Sequence, residues 1–169
     1  MTSLTQPLRD EHKELYPNVD RIRQVAEIVD EAPIADVQRG VDEVYDFLAH
    51  HLKPHAQAEE AVLYPAVQRA LGSPEATQTM ARDHVEVGYY IDELAELRSG
   101  LNGASLTKAQ IKALQCVLYG IYGLMKVHFA KEEEVYLPIL DKRLTAEEAH
   151  EMFEAMESAA HAAKHAAHG

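Results

Sequence analysis

The sequence predicts an all-α fold: an up-down-up-down four-helix bundle with an additional C-terminal helix. Apolar residues recur at helical spacing along most of the chain, and a motif of histidine and glutamate occurs twice, each copy preceded by one more histidine at nearly the same distance. The repeating unit is therefore a pair of helices. The bundle is predicted over residues 8–141 and a C-terminal helical extension over residues 145–169, in a chain of 169 residues that can bury a sizeable core.

The first helix is predicted over residues 8–31. Its apolar positions recur at helical spacing and would form one buried stripe with a histidine in it: Leu8, His12, Leu15, Val19, Ile22 and Val25. Pro17 lacks an amide donor, so it is expected to bend this helix just after His12. Tyr16 lies one turn from His12 and is either a core tyrosine or a further metal ligand.

The second helix is predicted over residues 36–71 and should end at Gly72. Pro54 stands directly before His55 and is expected to kink the helix there. His51 lies one turn before His55. It could be a ligand, a residue that hydrogen-bonds to a ligand, or a histidine at the edge of the core.

The third helix is predicted to begin at Ser73 as its N-cap, with Pro74 at the first helical position, and to run to about Arg98. Its inward stripe would carry Met80, His84, Val87, Ile91 and Leu94. Gly88 leaves space either for close helix packing or for a pocket.

The fourth helix is predicted from Thr107, its cap, to about Asp141. Residues 113–127 are the most apolar stretch, so this helix should be the most buried, with Cys116 as a small core residue. A fifth helix should follow from Thr145, which forms a capping-box pattern with Glu148. Three histidines of its alanine-rich end are expected to be exposed, with at most adventitious metal binding: His161, His165 and His168.

The repeated motif predicts a metal site. The histidine, two glutamates, valine and proline of residues 55–65 recur 73 positions later, in residues 128–138. Residues four apart lie on one helix face, so His55 with Glu59, and His128 with Glu132, each direct an imidazole and a carboxylate to one point. His12 and His84 precede these pairs by 43 and 44 residues and would complete the set.

The donor set of this site is imidazole and carboxylate. Without thiolate it suits iron or manganese better than a structural zinc ion. Each motif contains a second glutamate, so Glu60 and Glu133 are alternatives to Glu59 and Glu132 as the carboxylate ligands. A single copy of the motif could arise by chance in a chain with 10 histidines and 28 acidic residues, but five positions repeating at one offset favour metal binding.

Composition limits the partners and the location. The formal net charge is -12, so neither nucleic acid nor an anionic membrane is expected as a partner. No apolar run approaches the roughly 20 residues that span a bilayer, the first residues lack the pattern of a secretion signal, and the lone Cys116 has no intrachain disulfide partner. We expect a cytoplasmic protein, monomeric or weakly dimeric.

One histidine on each of the first and third helices, and His-x-x-x-Glu on each of the second and fourth, make the sequence similar to the hemerythrin-like (HHE cation-binding) family. The resemblance covers roughly residues 8–141. It implies a four-helix bundle around a non-haem diiron centre, with two oxo- or hydroxo-bridged iron ions and bridging glutamates. The metal ligands would be His12, His55, Glu59, His84, His128 and Glu132.

The third helix departs from the oxygen-carrying members of that family, which place two histidines one turn apart there. Met80 and Gly88 stand one turn on either side of His84, so one imidazole is missing. Coordination positions left open favour reaction with a small oxidant, such as oxygen, peroxide or nitric oxide, over reversible oxygen storage. Catalase-like turnover is one expectation, an iron- or oxygen-responsive sensor is the alternative, and a metal-free structural bundle is the least favoured.

A ferritin-like bundle is the main rival for a carboxylate-rich helical iron protein. Its di-iron site uses Glu-x-x-His on two helices and a glutamate from each of two others. Only Glu147 and His150 match that motif, and they lie in the predicted C-terminal extension. The sequence therefore does not support a ferritin-like bundle.

Overall fold

The computed structural model of the protein describes residues 3–166, which form five helices. They are α1 (Gln6–Ile28), α2 (residues 34–71), α3 (Gln78–Ser99), α4 (residues 108–143) and α5 (Ala146–Ala166). No strand occurs within residues 3–166, and the predicted all-α class is confirmed. The predicted alternation of direction through all four bundle helices stays a prediction, and His168 lies outside the described residues.

Helix α1 packs lengthwise against α4. Near its start, the Thr5 amide donates to the Asp141 carboxylate at 2.9 Å, and near its end the Ala26 carbonyl accepts from Gln115 at 3.4 Å. Partner numbers fall along α4 as residue numbers rise along α1, so these two helices run in opposite directions. Pro17 lies inside α1 and does not end it.

Three π turns widen α2 and α4: Leu48–Leu52, Glu59–Leu63 and Glu132–Tyr136. After each turn an amide donates to the carbonyl five positions back, from Lys53 to Leu48, from Tyr64 to Glu59 and from Leu137 to Glu132. The residue that follows is a proline each time, at 54, 65 and 138. Proline has no amide and crowds the carbonyl four residues back, and a wider turn before it accommodates both effects. The kink predicted at Pro54 takes the form of such a π turn.

The predicted start of α3 is wrong. The chain from Ser73 passes through turns, and α3 begins at Gln78 after Thr77. Tertiary hydrogen bonds hold those turns: the Tyr136 hydroxyl donates to the Ala76 carbonyl at 2.9 Å, and the Gln68 amide donates to the Thr77 hydroxyl at 2.7 Å. These contacts outweigh the local capping signal of Ser73, which the sequence alone could not weigh against them. The caps predicted at Thr107 and Thr145 are confirmed.

The predicted burial of Cys116 is also wrong. Cys116 is exposed, because the core-facing stripe of α4 contains Leu114, Val117 and Leu118 and leaves Cys116 on the outer face. Tyr119 and Val127 are exposed as well, at 43% and 58%. Helix α4 is therefore amphipathic, and it is less buried than its run of apolar residues predicts.

The apolar core has two clusters. The larger one lies among the second halves of α1 and α3 and the first halves of α2 and α4. It includes Val41, Leu118 and Phe129. The smaller one contains Tyr64 and Leu137 and is closed by Met152 and other side chains of α5. Helix α5 packs against residues 53–63 of α2. No helix within the described part of the chain is long and apolar enough to cross a membrane.

Candidate metal centre

The six side chains predicted as metal ligands converge between the two apolar clusters. Helix α1 contributes one, α2 and α4 two each, and α3 one. All are at most 7% exposed at the side chain: His12, His55, Glu59, His84, His128 and Glu132. The Phe129 ring stacks on His12 with centroids 4.5 Å apart, which places apolar surface directly beside the polar cluster.

The convergent atoms divide into two groups that could each hold a metal ion. The first joins His12, His55 and Glu59, and the second joins Glu59, His84 and His128. Within each group one atom from every residue lies within 4.8 Å of the others. Because Glu59 belongs to both groups, the arrangement fits two neighbouring ions that share a carboxylate.

Both glutamates reach both groups. For Glu59, Oε1 lies 3.0 Å from Nε2 of His55, while Oε2 lies 3.4 Å from Nε2 of His84. For Glu132, Oε2 lies 3.4 Å from Nε2 of His12, while Oε1 lies 3.4 Å from Nε2 of His128. Each carboxylate thus presents one oxygen to each group, as a bridging ligand requires.

Every central imidazole points Nε2 inward and Nδ1 toward a carboxylate outside the centre. The pairs are His12 with Glu133 at 3.2 Å, His55 with Glu11 at 2.9 Å, His84 with Glu60 at 2.9 Å and His128 with Asp83 at 3.0 Å. Such pairs fix the tautomer that leaves Nε2 free to bind metal, and they raise the basicity of the ring. Glu60 and Glu133 are therefore placed to orient ligands, while Glu59 and Glu132 face the centre.

Five buried polar atoms at the centre have no hydrogen-bond partner within the described residues. They are Nε2 of His12 and His55, both carboxylate oxygens of Glu59, and Oε2 of Glu132. Burying polar atoms unpaired costs about 1–3 kcal/mol each, and more for charged groups. Cations bound in the two groups would satisfy all five, so the residues present fit a metal centre.

The electrostatics of the cluster follow from burial and from the carboxylates. Burial alone lowers the pKa of His55, but Glu59 and Glu11 outweigh it and hold that pKa well above its usual value. Burial likewise opposes the pKa rise of His128, which Asp83 and Glu132 bring to about 9. The pKa of Glu59 is well below its usual range, since the neighbouring imidazoles outweigh the effect of burial. At neutral pH the metal-free centre therefore holds its carboxylate charge together with protonated His55 and His128, and a bound metal cation would replace those protons.

Tyr64 belongs to the site and was not predicted. Its hydroxyl lies 3.1 Å from Oε1 of Glu132, to which it donates, and 3.2 Å from Nε2 of His84. Burial and the nearby carboxylates raise the pKa of Tyr64, so its hydroxyl keeps its proton. The sequence holds one signal for this role: at the equivalent position of the second repeat, Leu137 stands in place of tyrosine.

The other candidate ligands lie outside the convergent groups. Tyr16 packs edge-on against Phe129, with ring centroids 5.5 Å apart, and is half-buried. His51 is exposed and stacks on Phe47. On α3, Met80 is fully buried in the smaller cluster, and a side chain at Gly88 would meet open space. His84 is therefore the single α3 imidazole in the two groups.

Fold and site together define a helical bundle whose buried centre of imidazoles and carboxylates could hold metal ions. The family model for the hemerythrin HHE cation-binding domain matches residues 3–140, so the chain belongs to that family. The comparison with curated proteins found no match, and neither did the comparison with solved structures.

Proposed function

We propose that this protein is a cytoplasmic non-haem diiron protein that binds or turns over a small oxidant, such as oxygen, peroxide or nitric oxide. The observation that carries the proposal is the pair of donor groups joined by Glu59 and Glu132, each carboxylate offering one oxygen to each group. Membership of a cation-binding family supports the metal, and the donor chemistry supports iron.

Each ion of the pair would have four protein donors. His12 and His55 with one oxygen from each glutamate would hold the first ion, and His84 and His128 with the other two oxygens the second. Iron at such a site supplies electron transfer to or from a bound oxidant. Four protein donors do not fill the coordination that iron prefers, so a small oxidant could bind beside them. This favours reaction over storage.

The chain's own residues supply orientation, a dry environment and a hydrogen-bond donor. Carboxylates outside the centre hold the imidazoles in place, and Phe129 limits access of water beside His12. The Tyr64 hydroxyl lies among the donors proposed for the second ion, and the single proton that it donates to Glu132 in this structure could turn to a bound oxidant instead. His84, the single α3 imidazole of the two groups, belongs to this same half of the site.

An iron- or oxygen-responsive binding module without turnover is the second candidate. It is favoured by the contact of α5 with residues 53–63 of α2, which include His55 and Glu59. Binding of metal or oxidant at the centre could therefore alter how α5 packs against α2. Turnover and sensing differ in one readout, since only turnover consumes oxidant in excess of the protein.

The test is peroxide consumption by iron-loaded protein, measured together with the reversibility of its response to oxygen. The proposal expects many equivalents of peroxide to be consumed and no oxygen-dependent absorbance that reverses under vacuum. Binding of one equivalent without consumption would favour the sensor. A reversible oxygen spectrum would contradict the proposal, because it would identify a carrier.

The cytoplasmic location and a monomeric or weakly dimeric state are parts of the same proposal. The single thiol of the chain, Cys116, is exposed and has no intrachain partner, which suits a reducing compartment. Neither nucleic acid nor a membrane is proposed as a partner, because a net charge of -12 opposes both.

A further inference from the structure

A cleft of about 500 Å³ lies between the start of α1, the middle of α2 and the helix α5. His55 of the candidate centre is one of its lining residues and is 4% exposed at the side chain. Glu11, Glu14 and Glu157 also line it, together with one basic residue, Lys164, so acidic residues predominate. The cleft therefore connects solvent to the edge of the centre along an acidic wall.

His161 stands in the lining of this cleft, one helical turn before His165. The two Nε2 atoms face each other at 3.2 Å, and the ring centroids lie 4.4 Å apart. Two metal–nitrogen bonds of about 2.0–2.1 Å at a tetrahedral angle place their nitrogens roughly 3.4 Å apart. The pair is thus already spaced for a shared ion, and Glu157 lies one further turn back on the same face.

We propose that His161 and His165 form an external binding site for a divalent transition-metal cation, and that the cleft passes the ion from this site to His55. The proposal rests on the proposed metal centre for its destination, but the external site itself does not. Both imidazoles are exposed, so an ion there keeps several waters and exchanges readily. The acidic wall of the cleft raises the local concentration of cations beside His55.

A single hydrogen bond between the two rings would produce the same distance without any metal. The two cases differ in their response to added cation. Zn²⁺ shifts the ring nitrogen resonances of both histidines together if they share an ion. It leaves them unchanged if they only hydrogen-bond to each other.

The first experiment is a Zn²⁺ titration of the full chain, followed by the ring nitrogen signals of His161 and His165. It is done on iron-loaded and on metal-free protein. We expect saturable, simultaneous shifts at both residues in both preparations, lost in His161→Ala. Because the readout is local, a failure to bind iron at the centre would not remove these shifts. Unchanged ring signals would overturn the external site.

The second experiment measures how fast metal-free protein takes up Co²⁺ at its centre, from the visible absorbance of the bound ion. The double variant His161→Ala/His165→Ala should load about tenfold more slowly, the low end of the effect expected of a site that concentrates cations. Its final Co²⁺ content should be unchanged at the centre. Equal loading rates would overturn the delivery role.

His150→Ala is the matched control for both experiments. His150 lies on the same helix, is exposed and pairs with Glu154 one turn away, but it does not line the cleft. We expect wild-type loading in this variant. Slow loading in His150→Ala as well would assign the effect to general loss of exposed histidines and would overturn the proposal.

Discussion

Tyr64 and Leu137 occupy equivalent positions of the two repeats, but only Tyr64 brings a polar group to the centre. Tyr64 brings a hydroxyl to the half that holds His84 and His128, whereas Leu137 is fully buried in the smaller apolar cluster. An oxidant bound in the tyrosine half could accept a hydrogen bond from Tyr64 in exchange for the one that Tyr64 donates to Glu132 in this structure. We therefore expect the reaction to occur on that half.

Replacing Tyr64 by phenylalanine tests this difference. The variant should retain its metal content, lose about 1 kcal/mol of stability with the hydroxyl's hydrogen bonds, and consume peroxide more slowly. The measurements are metal analysis, urea unfolding and peroxide consumption. Tyr16→Phe is the control, since Tyr16 packs edge-on against Phe129, whereas the Tyr64 hydroxyl lies within 3.2 Å of His84 and Glu132. Equal slowing in both variants would argue against a specific role for Tyr64.

The carboxylates that hold the imidazoles lead to a second prediction at the residue scale. Glu133→Gln removes the charge beside Nδ1 of His12 while keeping an acceptor there. Loss of such a partner typically weakens metal binding about 10–100-fold, and we expect a decrease of this order. Competition with a chelator measures the affinity. Glu134→Gln is the matched control because Glu134 is adjacent and exposed, and a comparable loss there would show that only net charge matters.

At the scale of helices, the π turns position both glutamates. Glu59 and Glu132 each begin a π turn, and a proline stands two positions after the last residue of that turn. Without the proline, a regular α-helical turn would become available, and it would rotate the ligand relative to the rest of its helix. The proline is therefore expected to help hold the glutamate in position.

Pro138→Ala should weaken metal binding while leaving helix content near wild type, because alanine permits the α-helical hydrogen bond that proline prevents. Metal affinity and far-ultraviolet circular dichroism measure the two effects. Pro17→Ala is the control, since Pro17 lies inside α1 without a π turn. An unchanged affinity in Pro138→Ala would mean that packing alone sets the π turn.

Asp141 joins the end of α4 to the start of α1. Its carboxylate accepts from the Ser3 hydroxyl at 2.7 Å and from the Thr5 amide at 2.9 Å. Burial would raise the pKa of Asp141, but these bonds outweigh it and lower that pKa. Because the pKa is lowered in the folded state, the ionised carboxylate stabilises the fold at pH values above its ordinary pKa of 3.8. This stability is lost as the pH falls through the folded-state pKa.

Asp141→Asn should accordingly melt a few degrees lower than wild type at neutral pH, for a loss of about 1 kcal/mol. The difference should shrink as the pH falls below 3.8. Urea unfolding of metal-free protein from about pH 7 to about pH 3 measures it. A gap that widens in acid would contradict the sign of this prediction.

Much of the helical arrangement could be predicted because helix periodicity and caps are local signals. Thr107 and Thr145 cap as predicted, since the side-chain bonds that form each cap join it to a residue three positions away. The start of α3 could not be predicted, because a hydrogen bond from Tyr136, far along the chain, holds the turn before it. The exposure of Cys116 depends on which face of α4 meets the core, and composition alone does not determine that.

For the whole molecule, the convergence of six side chains could be predicted because the repeat placed matching donors on successive helices. The roles of Glu11 and Asp83 could not, since each bonds across to a histidine on another helix, more than 40 positions away. Tyr64 was missed for the same reason. Residue spacing predicts the central donors, while the residues that orient them depend on the packing between helices.

The central claim is that the chain holds two iron ions between its two donor groups. Iron analysis of the purified protein, with melting curves before and after chelation, tests it most directly. We expect about two ions per chain and a metal-free form that is less stable, by about 2.7 kcal/mol at a free metal concentration of 100 times Kd. His55→Ala and His128→Ala should lower the iron content, whereas His165→Ala should not. One ion or none in the wild type, full occupancy in His128→Ala, or identical melting with and without metal would contradict the account.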